Sequence, residues 1–227
     1  MAHPRPAVHR TILVVDVEGF GDRHRTNVRQ VVVRTGLYRA VESAFGAAGI
    51  SWGRCHHEDR GDGVFVLAPP EVPEGLFVGL LPCALVEALH EHNRAHRAEE
   101  RIRLRAALHA GEIDYDGHGV TAAVITLAFR LVEAHPLKAA LAESAGVLAL
   151  IVSSWFFDEV VWHSTGSDPA TYRRVWVTVK EIRTPGLDLP AGSPSPVPRS
   201  AGPAGRAWPI GAAAASGRNV TFRGAGG

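Results

Sequence analysis

A short polar turn between two strand-like segments constrains this chain more than any other feature. Residues 60–63 read Arg-Gly-Asp-Gly, and glycine tolerates the positive φ angles that tight hairpin turns need. Segments with strand-type residues precede the turn at 50–58 and follow it at 63–68. The pattern therefore predicts a β-hairpin with the carboxylate of Asp62 at its tip.

A second carboxylate stands at the end of the first predicted strand. The apolar run at 11–15 ends in Asp16, and Gly19 follows as a turn residue. A carboxylate on a buried strand costs free energy unless a cation pairs with it, and Mg²⁺ is usually held by one or two carboxylates together with phosphate oxygens. Asp16 and Asp62 are therefore a candidate cation site. Asp62 taken alone is explained by the turn, because Asp is common in Asp-Gly turns.

Hydrophobic periodicity predicts the order β-α-β-β-α-β for the first half of the chain. Apolar residues recur at three- and four-residue spacing over 26–48, which indicates a long amphipathic helix. A second helix containing Pro82 is predicted to end near 96, with a kink or a new start at the proline. Alternation at 101–106 predicts the next strand. This order is the ferredoxin-like arrangement.

Further elements are predicted after this core. Helices are expected at 121–134 and 136–144, and strands at 147–152 and 172–182. The fold class that follows is α+β, an α/β sandwich with a ferredoxin-like βαββαβ core and extra C-terminal helices and strands.

The two ends of the chain differ from its middle in composition. Residues 1–10 are interpreted as a flexible leader and residues 11–183 as the folded domain. Of the last 44 residues, 29 are Gly, Pro, Ala or Ser, and such a segment cannot bury enough apolar surface to offset its ordering entropy. Residues 184–227 are therefore predicted to be a disordered tail. Its strand-prone patch at 219–222 is either incidental or a site for a protein partner.

Charge and hydropathy exclude several classes of partner. The chain has 24 basic and 23 acidic side chains, so nothing in its charge favours nucleic acid or a polybasic membrane anchor. No apolar stretch reaches about 18 residues, and the N-terminus lacks a signal-peptide core. Cys55 and Cys83 have neither metal-site nor disulfide spacing. We expect a soluble, cytoplasmic protein.

Three segments resemble the motifs of a known family, the class III nucleotide cyclases, whose members include the adenylate and guanylate cyclase catalytic domains. They are residues 16–20 (Asp-Val-Glu-Gly-Phe), residues 58–63 (Glu-Asp-Arg-Gly-Asp-Gly) and residues 126–131 (Thr-Leu-Ala-Phe-Arg-Leu). The likeness spans roughly residues 11–183 and is to a soluble, actinobacterial-type member. It implies a head-to-tail homodimer that uses two Mg²⁺ or Mn²⁺ ions to convert a nucleoside triphosphate to a 3′,5′-cyclic nucleotide and pyrophosphate.

The same resemblance assigns roles to individual residues. Asp16, Val17 and Asp62 would hold the metal ions. Arg130, which lies four residues after Thr126 and so on the same helix face, would stabilise the α-phosphate, while Thr126 stands where the family has an Asn that orients the ribose. The residues implied in nucleotide binding are Gly19, Phe20, Glu58, Gly61 and Lys180.

Three points remain open from the sequence. Glu58 favours guanine over adenine, because a carboxylate can accept from the N1 and N2 donors of guanine, but pyrimidine cyclases of phage-defence systems are also similar. Thr126 motivates an alternative in which the fold is catalytically degenerate and serves to bind a nucleotide or to dimerise. A signalling adaptor whose tail recruits an effector is a further alternative.

Overall fold

A mixed sheet forms the centre of the protein in a computed structural model that describes residues 7–116, 119–121, 123–179 and 182–189. The strands are β1 (Val8–Val17), β2 (His56–Asp59), β3 (Gly63–Leu67), β4 (Leu104–Asp116), β5 (Gly119–Thr121), β6 (Leu148–Ser153), β7 (Arg173–Val179) and β8 (Ile182–Leu189). The order across the sheet is β2-β3-β1-β4-β6-β8-β7, and β5 pairs with β4. Neighbouring strands are antiparallel except β4 and β6, which are parallel.

Helices cover both faces of this sheet. They are α1 (Asn27–Ala47), α2 (Leu80–Ala95), α3 (Ala123–Val132), α4 (His135–Ala142) and the short α5 (Ser154–Phe156), which continues into a π-helical turn at Phe157–Val161. One buried cluster lies between the sheet and the α1–α2 layer, and a second lies between the sheet and the α3–α4 layer. The predicted α+β sandwich and its βαββαβ order are confirmed.

The alternation of side chains along β1 decides which face each residue serves. Leu13 and Val15 belong to the cluster under α1 and α2, whereas Ile12 and Val14 belong to the cluster under α3 and α4. Because successive side chains in a strand point to opposite faces, Asp16 falls on the α3–α4 face. A charged group is thereby placed at the edge of an apolar layer.

Close approach of β1 and β3 requires a glycine at the end of the hairpin. Gly63 pairs with Asp16, and a Cβ atom at Gly63 would lie 2.1 Å from the carbonyl oxygen of Val15. Gly61, inside the turn, has a φ of 82°, which is a left-handed conformation that glycine adopts without a steric penalty. Gly63 therefore allows the close approach of the two strands, and Gly61 allows the backbone conformation of the turn.

The structure decides one open alternative of the sequence prediction and extends another element. Pro82 lies in the first turn of α2, so of the two predicted alternatives it marks a helix start and not a kink, since a first-turn residue has no intrahelical donor role to lose. β4 is much longer than the predicted 101–106. Residues 106–110 in its middle are buried on both faces of the sheet. The sequence of such a strand does not alternate between apolar and polar residues.

Two strands of the sheet extend beyond the predicted ends of the folded domain. β1 begins at Val8, inside the predicted leader, and β8 runs to Leu189, inside the predicted tail. The residues Thr-Pro-Gly at 184–186 are typical of a turn, but β8 lies between β6 and β7, where Leu187 and Asp188 are buried. The rest of the predicted tail, 190–227, and the leader residues 1–6 lie outside the described residues. We therefore propose that the folded domain extends at least to Leu189.

No helix in the described part of the chain combines the length and apolar character needed to cross a bilayer. Cys55 is buried and Cys83 is half-buried, and neither forms a disulfide.

Shortening the chain after residue 183 should destabilise the domain severely. The truncation removes the strand that joins β6 to β7, and it leaves Arg173 without Asp188, whose two oxygens lie 2.7 and 3.3 Å from its guanidinium nitrogens. We expect the melting temperature to fall by about 10 °C or more, because the loss of several kcal/mol shifts it by a few degrees per kcal/mol in a domain of this size. A chain ending after residue 190 is the control. Equal thermal unfolding curves for the two truncations would contradict this boundary.

Candidate active site

Strand pairing places Asp16 and Asp62 at the same end of β1 and β3. Asp16 pairs with Gly63, and the backbone N–H of Val17 donates to the carbonyl of Asp62 at 2.9 Å. The two carboxylates are close enough that the charge of Asp62 raises the pKa of Asp16. Asp62 itself is exposed at the hairpin tip. The two carboxylates named from the sequence are therefore neighbours, one buried and one open to solvent.

Asp16 is 6 % exposed and has a basic neighbour that the sequence reasoning missed. Arg105 stands directly across from it on β4, and its guanidinium forms an ion pair with Asp16 Oδ2. This contact has the proximity of an ion pair but lacks hydrogen-bond geometry, so Oδ2 is buried without a hydrogen-bond donor from the described residues. Burial raises the pKa of Asp16 to about 6, although the positive charge of Arg105 acts in the opposite direction.

The donor set at this position fits a hard divalent cation. The described residues contain no cluster of three or more His, Cys, Asp or Glu side chains that could form a complete protein cage. Mg²⁺ does not require one, because it is usually bound by one or two carboxylates and completes its shell with water and substrate phosphates. Asp16 offers a buried oxygen that lacks a hydrogen bond, and Asp62 offers an exposed carboxylate beside it. These residues suit an ion that completes its shell with water or phosphate oxygens.

The backbone after Asp16 turns sharply away from the sheet. Gly19 has a φ of 62° and is exposed, so a left-handed residue is required at this turn. Val17 is buried under α1 and α2, and Phe20 packs half-buried against the same cluster. Of the residues predicted to approach a nucleotide, Gly19 thus lies at the surface and Phe20 contributes to the core.

Arg103 fixes this turn to the end of α4. Its Nη1 donates to Glu18 Oε2 at 2.8 Å, while Nη2 donates to the carbonyls of Leu141 and of Ser144, the latter at 2.7 Å. A basic side chain at a helix C-terminus satisfies carbonyls that have no intrahelical partner. Arg103 was not singled out from the sequence, because the strand pattern gives no information about which loop or helix end the side chain reaches.

Glu58, the predicted base-reading residue, is already engaged by two side chains of its own hairpin. Its Oε1 lies 3.0 Å from His56 Nε2, and its Oε2 accepts from Arg60 Nη2 at 2.7 Å. The Arg60 guanidinium in turn lies 4.8 Å from the centre of the Phe129 ring on α3. A nucleotide base that hydrogen-bonds to Glu58 would share its carboxylate with two basic groups.

Thr126 and Arg130 lie on α3, which packs on β1 and β4 of the same chain. Thr126 is exposed and Arg130 is half-buried. The charges of Arg105, Asp62, Glu133 and Lys138 act on the pKa of Asp16. Lys180 lies outside the described residues.

The overall architecture matches solved nucleotide cyclases. One match is the guanylyl cyclase Cya2, with a TM-score of 0.53 and 17% identity, which covers 87% of this chain and 100% of that one. Another is an adenylate/guanylate cyclase/hydrolase from Silicibacter pomeroyi, with a TM-score of 0.57 and 19% identity, at 82% and 98% coverage. A third is the monomeric guanylyl cyclase domain of a fusion protein from the aquatic fungus Blastocladiella emersonii, with a TM-score of 0.51 and 12% identity, at 84% and 99% coverage.

These matches are matches of fold. No family model matches the chain, and no curated protein does so either. At identities below 20% the structural likeness establishes the architecture, and the expected class III nucleotide cyclase fold is confirmed. The chemistry of the chain has to be argued from its own residues.

Replacement of Asp16 by Asn should stabilise the metal-free protein at neutral pH. The pKa of Asp16 is higher in the folded protein than in the unfolded chain. Above about pH 6 the carboxylate is ionised in both states, and its burial lowers the free energy of unfolding. This destabilisation becomes smaller as the pH falls towards 4, because the folded protein then binds the proton. We expect Asp16→Asn to gain about 1–3 kcal/mol at pH 7.5 and progressively less at lower pH. Urea unfolding at several pH values with EDTA measures this difference.

The exposed residue Asp158 supplies the control for this comparison. Asp158→Asn should change the free energy of unfolding by no more than about 0.5 kcal/mol. If Asp16→Asn is less stable than the wild type at pH 7.5, the ion pair with Arg105 outweighs the cost of burial, and our assignment of Asp16 as a destabilising carboxylate is wrong.

Proposed function

We propose that this chain is a metal-dependent nucleotide cyclase that converts a nucleoside triphosphate, with GTP favoured over ATP, to a 3′,5′-cyclic nucleotide and pyrophosphate. The observation that carries the proposal is the pairing of Asp16 and Asp62 at one end of β1 and β3, with a buried carboxylate oxygen that lacks a hydrogen bond. It occurs in a chain with the class III cyclase fold. This oxygen is paired with Arg105 but lacks a hydrogen bond, and a bound ion is one of the groups that can satisfy such an atom.

In the proposed reaction the ribose 3′-oxygen attacks the α-phosphorus. A bond forms between these two atoms, the bond from the α-phosphorus to the bridging oxygen breaks, pyrophosphate leaves with the electron pair, and the 3′-proton passes to water. Two divalent ions held by Asp16, Asp62 and the carbonyl of Val17 would lower the pKa of the 3′-hydroxyl and neutralise the triphosphate. The left-handed turn at Gly19 would allow the backbone of 17–20 to approach the phosphates closely.

Arg105 is proposed to change partner when substrate binds. In the metal-free protein its guanidinium pairs with Asp16, and its Nε is buried without a hydrogen-bond partner among the described residues. Once Asp16 serves a cation, Arg105 is a positive group next to the triphosphate. Guanidinium groups form strong, charge-assisted hydrogen bonds with phosphate oxygens.

The proposed active unit is a head-to-tail homodimer. The family resemblance implies this arrangement, in which the carboxylates of one chain face Arg130 of its partner and a two-fold axis gives two equivalent sites. In that arrangement Arg130 would stabilise the charge that develops on the α-phosphate. Thr126 would orient the ribose through its single hydroxyl, and Glu58 would accept from the N1 and N2 donors of guanine.

A degenerate cyclase fold that binds a nucleotide without turnover is the second candidate. Thr126 favours it, because a single hydroxyl replaces the amide of the family Asn and can make fewer hydrogen bonds. The ion pair of Asp16 with Arg105 also favours it, since a metal ion has to displace a charge that is already in place.

Product analysis separates these two functions. The purified full chain is incubated with ATP, GTP, CTP and UTP, with Mg²⁺ or Mn²⁺ in separate reactions, and products are identified by mass spectrometry. We expect a 3′,5′-cyclic nucleotide, most rapidly from GTP, and a loss of about 100-fold or more in Asp62→Asn, because the ions supply several kcal/mol of the transition-state stabilisation. Nucleotide binding without any product would establish the degenerate fold in place of the cyclase.

Restoring the family residue at Thr126 should raise the rate of a weakened cyclase. One additional hydrogen bond to the ribose contributes roughly 0.5–1.5 kcal/mol, so Thr126→Asn is expected to raise kcat by about two- to tenfold. Thr35→Asn, at an exposed position on α1, is the matched control and should leave the rate unchanged. An unchanged rate in Thr126→Asn would show that this position does not face the ribose.

A further inference from the structure

The hairpin tip that carries Asp62 is poorly supported by its own strands. β2 has four residues and forms one edge of the sheet, and most of its side chains are exposed. The turn at 60–63 contains two glycines, one of them in the left-handed region. A carboxylate that binds a metal ion has to be held within a fraction of an ångström of its binding position. The position of Asp62 therefore depends on contacts from outside the hairpin.

Arg34 on α1 provides such contacts. Its Nη1 donates to the carbonyl oxygen of Gly61 at 2.6 Å, and its Nη2 pairs with Asp59 Oδ2. The other oxygen of Asp59 accepts from the backbone N–H of Gly61 at 2.9 Å. The guanidinium, the carboxylate and the Gly61 peptide thus form a closed ring of hydrogen bonds around the residue directly before Asp62.

The helix that carries Arg34 is fixed in the core. Its neighbours Val33 and Leu37 are 0% and 1% exposed, and α1 packs along α2. Tyr38, one turn further along α1, also interacts with Asp59 and contributes to lowering the pKa of that carboxyl. A rigid helix therefore contacts the hairpin tip through two side chains.

The opposite side of the tip is attached to the sheet and to α3. Val17 N–H donates to the carbonyl of Asp62 at 2.9 Å, and the Arg60 guanidinium lies over the rings of Phe65 and Phe129 at 5.5 and 4.8 Å. The peptide groups on both sides of Asp62 are accordingly held, one by β1 and the other by α1.

We propose that Arg34 is a positioning residue for the metal-binding carboxylate of Asp62, through its hydrogen bond to the Gly61 carbonyl and its ion pair with Asp59. This inference rests on the proposed function, since it needs a metal ion at Asp62. It identifies a residue outside the three motifs as part of the machinery of the site. The planar fork of arginine is required, because it reaches two acceptors at once, whereas lysine presents a single ammonium group.

Mn²⁺ binding to the free full-length protein tests the inference without relying on turnover. Electron paramagnetic resonance measures free Mn²⁺ in titrations of the wild type, Arg34→Gln and Arg34→Lys. Loss of a residue that supports a metal ligand typically weakens affinity 10- to 100-fold, and we expect this for Arg34→Gln, with partial recovery in Arg34→Lys. Arg39→Gln removes the same charge from an exposed position on the same helix and should bind like the wild type.

Two further measurements distinguish positioning from a general loss of structure. The melting temperature of Arg34→Gln should stay within about 3 °C of the wild type, because a solvent-accessible ion pair contributes little to stability. Asp59→Asn, which removes the ion pair without altering α1, should weaken Mn²⁺ binding in the same direction.

The outcomes separate this inference from the function on which it rests. If the wild type binds Mn²⁺ and Arg34→Gln binds it with equal affinity, Arg34 has no positioning role and the proposed metal site stands. If the wild type and all variants bind no Mn²⁺, the metal site is refuted and the role of Arg34 falls with it. Weaker binding in Arg34→Gln and Asp59→Asn but not in Arg39→Gln supports both.

Discussion

The burial of the Asp16 carboxylate between β3 and β4 is the constraint on which the rest of the site depends. A charge in this position is costly, and the structure meets it with Arg105 across the β1–β4 ladder. That compensation is incomplete, since one oxygen lacks a hydrogen bond and burial raises the pKa of Asp16 to about 6. A core built only for stability would carry an apolar residue here. The site has instead retained a group whose cost a bound cation would remove.

The second carboxylate, Asp62, is held in position by a different kind of interaction. Asp62 is exposed and carries no such cost, but it lies on a glycine-containing turn at a short edge strand, so its position has to be imposed by neighbours. Contacts from α1 through Arg34 and from β1 through Val17 supply this restraint. One carboxylate is thus fixed by the packing of the sheet and the other by polar contacts at the surface. The positions of the two carboxylates should therefore respond differently to mutation and to salt.

The proposed active site also depends on how many chains contribute to it. One chain groups Asp16 and Asp62 with Arg105. In the proposed head-to-tail homodimer the partner would supply Arg130, so the site would be complete only when two chains associate, and activity would depend on protein concentration. The likeness to solved cyclases concerns the fold and leaves this arrangement to be argued from the residues.

The sequence by itself determined the order of elements from β1 to β4, the hairpin at 60–63 and the two carboxylates, because strand alternation, helix periodicity and glycine turns are local properties of the chain. Tertiary structure decided the rest. The sequence did not predict β8, because residues 184–186 are typical of a turn. Pairing with β6 and β7 holds this segment in a strand. Arg105 and Arg34 were missed for a related reason. Their roles depend on which strand lies opposite Asp16 and which helix reaches the hairpin tip, and contacts between residues tens of positions apart leave no periodic trace in sequence.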